Sequence, residues 1–488
     1  MTMKSTISYL VKLLGSTMFM LLLMQSVILA QEKMPITTSS DEARDLFREG
    51  RAEVELMNYG EAIPLLEKAI EHDPSFALAY MYLAQAKGGG STFDKHTLDK
   101  AVKQADNATK GEKHLIMYAN AIRTGNEKII IKHRDVLEEL YPDDERIALW
   151  AGWHDYVYDN YDKAIEYFER SLAINENYHL PYVFLGYTYM NQGDMEMAEH
   201  YMKQYVEMLP ENADANSTYA ELLRNMGQLD ESIEYSKKAI EINPQYVASY
   251  KGIGDSYLFK GDYETARNYY REYQENAQHN NQKFTGLVLE ATTYLHEDKP
   301  DKAMEVMDEY LSLADELKMP IYKIYGTGIK SFMFTETDQS DKGLIECKKI
   351  PQLISTTELT DEEKRQHEIV YCLREFHALT FNNDMKKAEN AKVKCSEQLE
   401  DYGTTGNWRY FNRVAGVLEM KKGNYDTARD YLANAWNVPI TWYYMGLTYD
   451  KEGNKAKAKN YYKKVMNHYS NYLELALVRN KAVAALEE

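Results

Sequence analysis

Tyr182–Pro210 reads YVFLGYTYMNQGDMEMAEHYMKQYVEMLP. Two helical patterns face each other across Gln192-Gly193-Asp194, and Pro210 closes the second. The same layout recurs at a period of 34 residues, in units starting at 43, 77, 111, 145, 179, 213 and 247. The eighth position is then Gly50, Ala84, Tyr118, Gly152, Gly186, Ala220 and Gly254. The twentieth is Ala62, His96, Ile130, Ala164, Ala198, Ser232 and Ala266, and the thirty-second includes Pro74, Pro142, Pro210 and Pro244. Glycine inside a helix costs about 1 kcal/mol against alanine. Its return at one helical position therefore marks a place where two helices must touch. Proline ends the second helix, because it lacks an amide donor and clashes with the turn before it.

This period, with small residues at the eighth and twentieth positions and proline at the thirty-second, resembles the tetratricopeptide-repeat family. The resemblance covers 43–472 and is strongest over 145–280. It implies an all-α fold: a right-handed α–α superhelical solenoid of helix-turn-helix repeats, with a concave groove lined by the first helix of each unit. In the second unit Gly88-Gly89-Gly90-Ser91-Thr92 lengthens the turn, and in the third Tyr118 and Ile130 stand where small residues belong. After 280 the phase slips by three residues; Phe284–Leu317 makes another unit, with Ala291 and Ala303 in the small positions. Residues 318–405 are helical by pattern but poor in motif. Within them Thr360-Asp361-Glu362-Glu363 is a capping box that opens a fresh helix, and Gly403-Thr404-Thr405-Gly406 is expected to be a hinge. Two good units follow, with Gly416 and Ala428, then Gly446 and Ala458, and Leu473–Leu486 reads as a helix capping the end of the array. The expected divisions are a signal peptide over 1–30, an N-terminal array over 43–317, degenerate helical repeats over 318–405, and C-terminal repeats with the capping helix over 406–488.

The signal reading rests on Lys4 and Lys12, the apolar stretch densest over Met18–Met24, and Ile28-Leu29-Ala30 before Gln31. It predicts export to the periplasm or cell envelope. Contact with a membrane would come only from this segment left uncleaved. The chain of 488 residues carries a net charge of −19, with no cluster of Lys and Arg. Nucleic-acid binding needs a basic stripe, so that class is excluded as an expectation.

Near-matches to catalytic patterns fail. His133-Arg134-Asp135 resembles a kinase catalytic loop, but Leu140 stands where that loop needs Asn. In Lys87-Gly88-Gly89-Gly90-Ser91-Thr92 the Lys precedes the glycines, whereas a phosphate-binding loop has it after them. The reading is non-catalytic, with no cofactor and no metal. Cys347, Cys372 and Cys395 stand near His367 and His377 without the tight pairing that zinc requires. They read as buried thiols, with one open alternative. Cys372 and Cys395 flank Asn382-Asn383-Asp384 at nearly equal distances and are placed to bridge in an oxidising compartment.

The function implied is an interaction scaffold for protein or peptide partners. At the family's groove-facing positions stand Trp153 and Tyr156, Tyr187 and Asn191, Glu221, Arg224 and Asn225, and Lys251 and Asp255. These form an aromatic patch followed by one of mixed charge. A glycan-binding envelope protein is the alternative, since Tyr and Trp rings stack on sugars, and the chain holds 41 Tyr and 5 Trp.

Overall fold

The computed structural model describes residues 33–90 and 92–487. The 1–30 segment lies outside the described residues. Among the described residues the secondary structure is helical, with no strand, and no helix is long and apolar enough to cross a membrane. The chain divides into two compact units, Met1–Tyr219 and Ala220–Glu488. Each is a solenoid of consecutive antiparallel helix pairs. The unit boundary falls inside the helix Ala213–Asn225, whereas the divisions at 317 and 405 mark changes in motif quality.

The first unit runs from Asp41–Glu55 paired with Tyr59–His72 to Leu180–Gln192 paired with Met195–Met208. The helices ending at His72, Leu140, Met208 and Ile242 each stop two residues before the periodic proline. This follows from the bias of the residue before proline away from helical angles. The turn within a pair needs one residue in the left-handed region. Gly193 supplies it at φ 85°, and the adjoining Asp194 accepts from the Met197 amide at 3.1 Å to cap the next helix.

The recurrent glycines sit at helix contacts. A Cβ built on Gly152 would come within 2.6 Å of the Phe168 ring, and one on Gly186 would strike the Met202 side chain. Met202 is fully buried and has nowhere to move. Gly186→Leu is therefore expected to lower stability by about 1–3 kcal/mol through overpacking, read as an earlier thermal unfolding transition. A variant that melts with the parent would show that this register is wrong.

The second repeat departs from the expected phase. His96 is exposed, and Leu98 is fully buried in its place. The glycine-rich turn is longer, so the helix Lys95–Gln104 starts late, capped by Asp94. Tyr118, which stands where a small residue belongs, is buried and donates its hydroxyl to the Trp150 carbonyl at 2.7 Å.

In the second unit the stretch 318–405 forms two further helix pairs. Pro320–Glu336 packs on a second helix broken into Ser340–Cys347 and Ile350–Thr356, where Pro351 starts a new first turn. Asp361–Phe381 then packs on Met385–Tyr402. The Thr360 box forms: its amide donates to Glu363 at 2.7 Å, and the Glu363 amide donates to its hydroxyl at 3.3 Å. Gly403–Gly406 is shorter as a linker than its composition implies. Thr404 caps a helix that begins at Thr405, so half of the expected hinge is helical.

The final helix, Leu473–Glu487, differs most from expectation. An end cap would bury one face. Here Leu475, Ala476, Leu477 and Val478 are all buried in succession. Asn480 donates to the His296 carbonyl at 3.0 Å and Lys481 to the Glu336 carbonyl at 2.6 Å. The helix turns back into the interior of its own unit and joins one apolar core with residues from Phe284 to Val465.

Candidate functional site

In the first unit, coiling brings the opening repeat against the fourth and fifth. The helix Asp41–Glu55 ends with carbonyls that have no partner within the helix. His179 Nε2 lies 2.9 Å from the Glu55 carbonyl oxygen, and Asn212 donates to that of Leu56 at 3.0 Å. The Glu55 carboxylate takes two bonds from Arg146, at 2.7 and 3.0 Å. Burial opposes the Arg146 charge, but the carboxylate more than offsets this and its pKa is raised.

This closure shapes a part-open cavity of about 260 Å³. Rings of Tyr82, Phe93, Trp150, Trp153, Tyr178 and Phe184 line it, with Val54 and Met57 from the first repeat. Trp150 and Trp153 lie edge to face at 6.1 Å, and Phe93 stacks on Trp150 at 6.3 Å. Burial pushes the Tyr82 and Tyr178 hydroxyls up, so both rings stay neutral. Glu55 and Gln85 are polar groups in a lining otherwise dominated by apolar side chains. Such a pocket suits an apolar or aromatic group rather than a charge.

Of the expected site residues, Trp153 lines this cavity. Tyr156 stands outside it, its hydroxyl accepting from Asn191 at 3.2 Å, and Tyr187 is half-buried. The sequence reading missed the other rings. Trp150 precedes Trp153 by three residues on one helix and was findable from that spacing. Val54 and Met57 were not, being about a hundred residues away along the chain.

The other five residues lie in the second unit, and for Asp255 and Arg224 the expectation that they face a partner needs correction, because both are buried. Asp255 has no exposed surface. It accepts from Lys251 at 2.8 Å, from the Tyr270 hydroxyl at 2.8 Å and from Asn471 at 3.3 Å. Burial raises the pKa of this carboxyl, but Lys251, Arg224 and these bonds outweigh that and hold it below its ordinary value. Arg224 is 4% exposed and donates to the Tyr469 carbonyl at 3.3 Å. Asn225 donates to the Glu221 carbonyl at 2.9 Å and accepts from Ser470 at 2.8 Å. Glu221 is half-buried, 4.0 Å from Arg224. The chain's own Tyr469-Ser470-Asn471 thus occupies the place predicted for a partner, because the last helix turns inward and carries this loop with it.

Cys372 and Cys395 form a disulfide, with Cα atoms 5.7 Å apart. Cys347 is buried, and burial pushes its thiol up to about 12. His377 pairs with the buried Glu336 at 2.9 Å, and Tyr444 donates to the same carboxylate. His133 lies 2.9 Å from His114, and Arg134 pairs with Asp155 at 3.3 Å, so the kinase-like tripeptide is engaged in packing between helices.

Models of the tetratricopeptide repeat match residues 47–86, 159–178, 181–212, 211–279 and 441–472. These matches place tetratricopeptide repeats in the chain over those residues. Among curated proteins it is similar to the Sol locus transcriptional repressor of Clostridium acetobutylicum, 32% identical over 83 residues, which are 17% of this chain and 26% of that protein. It is also similar to the BBSome complex member BBS4 of Bos taurus, 26% identical over 117 residues, 24% of this chain and 22% of that one. The chain therefore matches about a quarter of the length of these relatives, at 26% and 22%. Among solved structures, a thermophilic TPR protein of Thermus thermophilus is 21% identical, with 37% of this chain and 98% of that one covered at a TM-score of 0.31.

Proposed function

We propose that the first unit captures protein or peptide partners by receiving an apolar or aromatic side chain in the cavity beside Trp153. The observation that carries this reading is the aromatic lining of this part-open cavity, at one of the positions where the repeat family turns residues toward its groove. Large rings dominate interface energy where they are desolvated, and truncating one typically costs about 2 kcal/mol or more. The Cys372–Cys395 bridge suits an oxidising compartment, in keeping with the export reading of the N-terminal segment.

The test begins with cross-linking in the native host, with mass spectrometry to identify partners. Binding of an identified partner is then compared between the parent, Trp153→Ala and the double variant Trp153→Ala with Tyr187→Ala. Trp153→Ala should weaken binding about 30-fold, the equivalent of about 2 kcal/mol, with helicity retained. If the variants unfold early yet hold the partner normally when folded, these rings are core and the reading fails. Capture of glycans rather than proteins on an array would replace it with the carbohydrate alternative.

A further inference from the structure

The second unit contains a cleft of about 650 Å³ whose electrostatics run against the rest of the chain. Lys421, Lys422, Lys451 and Lys481 line it, and among the described lining residues Asp338 is the single carboxylate. The protein as a whole carries a net charge of −19. Phe381, Tyr425, Tyr443 and Leu447 supply apolar surface between the lysines.

The lysines do not all have internal partners. Lys422 bonds to Glu389 and Glu419 and is neutralised. Lys421 donates to the Thr380 carbonyl at 3.0 Å and to Asn383 at 3.2 Å, with its ammonium 4.7 Å from the Phe381 ring centre. Lys481 donates to the Glu336 carbonyl. An ammonium has three donors, so both keep capacity for an incoming acceptor. Lys451 is exposed and, among the described residues, makes no ion pair. Burial and the neighbouring Lys451 both lower the Lys421 pKa, despite Glu336 and Asp338.

Stabilisation of helix C-termini accounts for part of this. Lys421 and Lys451 lie in the last turns of Thr405–Lys422 and Pro439–Glu452. It does not account for Lys481, which comes from the middle of Leu473–Glu487. Gathering like charges in one cleft raises its affinity for anions.

We propose that this cleft docks an acidic segment of a protein partner, one that carries a large aromatic side chain among its carboxylates. The reading rests on the proposed role as an interaction scaffold and is independent of the aromatic cavity in the first unit. The probe is a fluorescein-labelled pentapeptide with a central Tyr between pairs of Glu, its ends acetylated and amidated so that only side-chain carboxylates are offered. Anisotropy with the full chain should show saturable one-to-one binding that weakens as salt is raised. The exposed Lys451→Glu should weaken it at least tenfold, and Trp153→Ala should leave it unchanged. Replacing Glu by Gln in the peptide, or Tyr by Ala, should each reduce affinity. Equal binding of the Gln peptide, no effect of Lys451→Glu, or no binding at all would overturn the proposal. Full displacement by inorganic phosphate at low millimolar concentration would also overturn it, by marking a site for small anions.

Discussion

Asp255→Ala is expected to cost the second unit about 3–5 kcal/mol, the range for removing one member of a buried charged network. The carboxylate is the common acceptor for Lys251, the Tyr270 hydroxyl and Asn471, and Arg224 stands 3.9 Å away. Deleting it leaves the buried Arg224 guanidinium with the Tyr469 carbonyl as a hydrogen-bond acceptor and Glu221 4.0 Å away. Asn471 also donates to the Tyr270 hydroxyl at 2.9 Å and to Thr292 at 3.2 Å. Asn471→Ala should therefore act in the same direction with a smaller effect, of roughly 1–3 kcal/mol. Urea unfolding would give the midpoints. Hydrogen exchange would show whether the amides of Leu473–Glu487 lose protection first. Unchanged protection in Asp255→Ala would mean that apolar packing alone holds the last helix in place.

The second large effect is acid lability of the same unit. Burial, with Arg479 and Lys464 nearby, lowers the His468 pKa to about 4. Burial and Arg479, opposed by Asp255, lower that of His296 to about 3. A histidine whose folded pKa lies below its unfolded value of about 6.5 is held neutral by the fold. The unfolded chain then binds more protons, and stability rises with pH across that interval. The contribution is complete above about pH 6.5 and is lost as pH falls toward 4. At about 1.4 kcal/mol per pH unit, His468 alone accounts for about 3 kcal/mol. The urea midpoint should fall steeply between pH 7 and pH 4.5. His468→Phe keeps an aromatic ring against Trp442 and Tyr472 and removes the titration, so its profile should be shallower. A parent profile that is flat over this range would contradict the buried, neutral state.

Parts of the site were legible for a clear reason. Trp153 was found because a repeat register assigns each position a direction, and the register follows from Gly152, Ala164 and the prolines. The Thr360 cap was likewise legible, and the Cys372–Cys395 bridge was an open alternative to buried thiols, since each depends on residues within one helix pair. Asp255 was misread by the same logic. Its position in the repeat does face inward, but no local pattern says whether solvent, a partner or a distant segment of the chain stands opposite.

The sequence by itself determined the helix pairs, their turns, the tight contacts at Gly152 and Gly186, and a net charge of −19. All of these arise within about one repeat, where spacing alone decides which side chains meet. Only the tertiary structure decided that Arg146 would bind Glu55 across 91 residues and that Asn471 would reach Asp255 across 216. It alone assembled the cavity at Trp153 and placed Lys481 beside Lys421 and Lys451. Each repeat adds a small rotation to the last. Which distant helices finally touch depends on the sum of those rotations over several repeats, and no single stretch of sequence contains that sum.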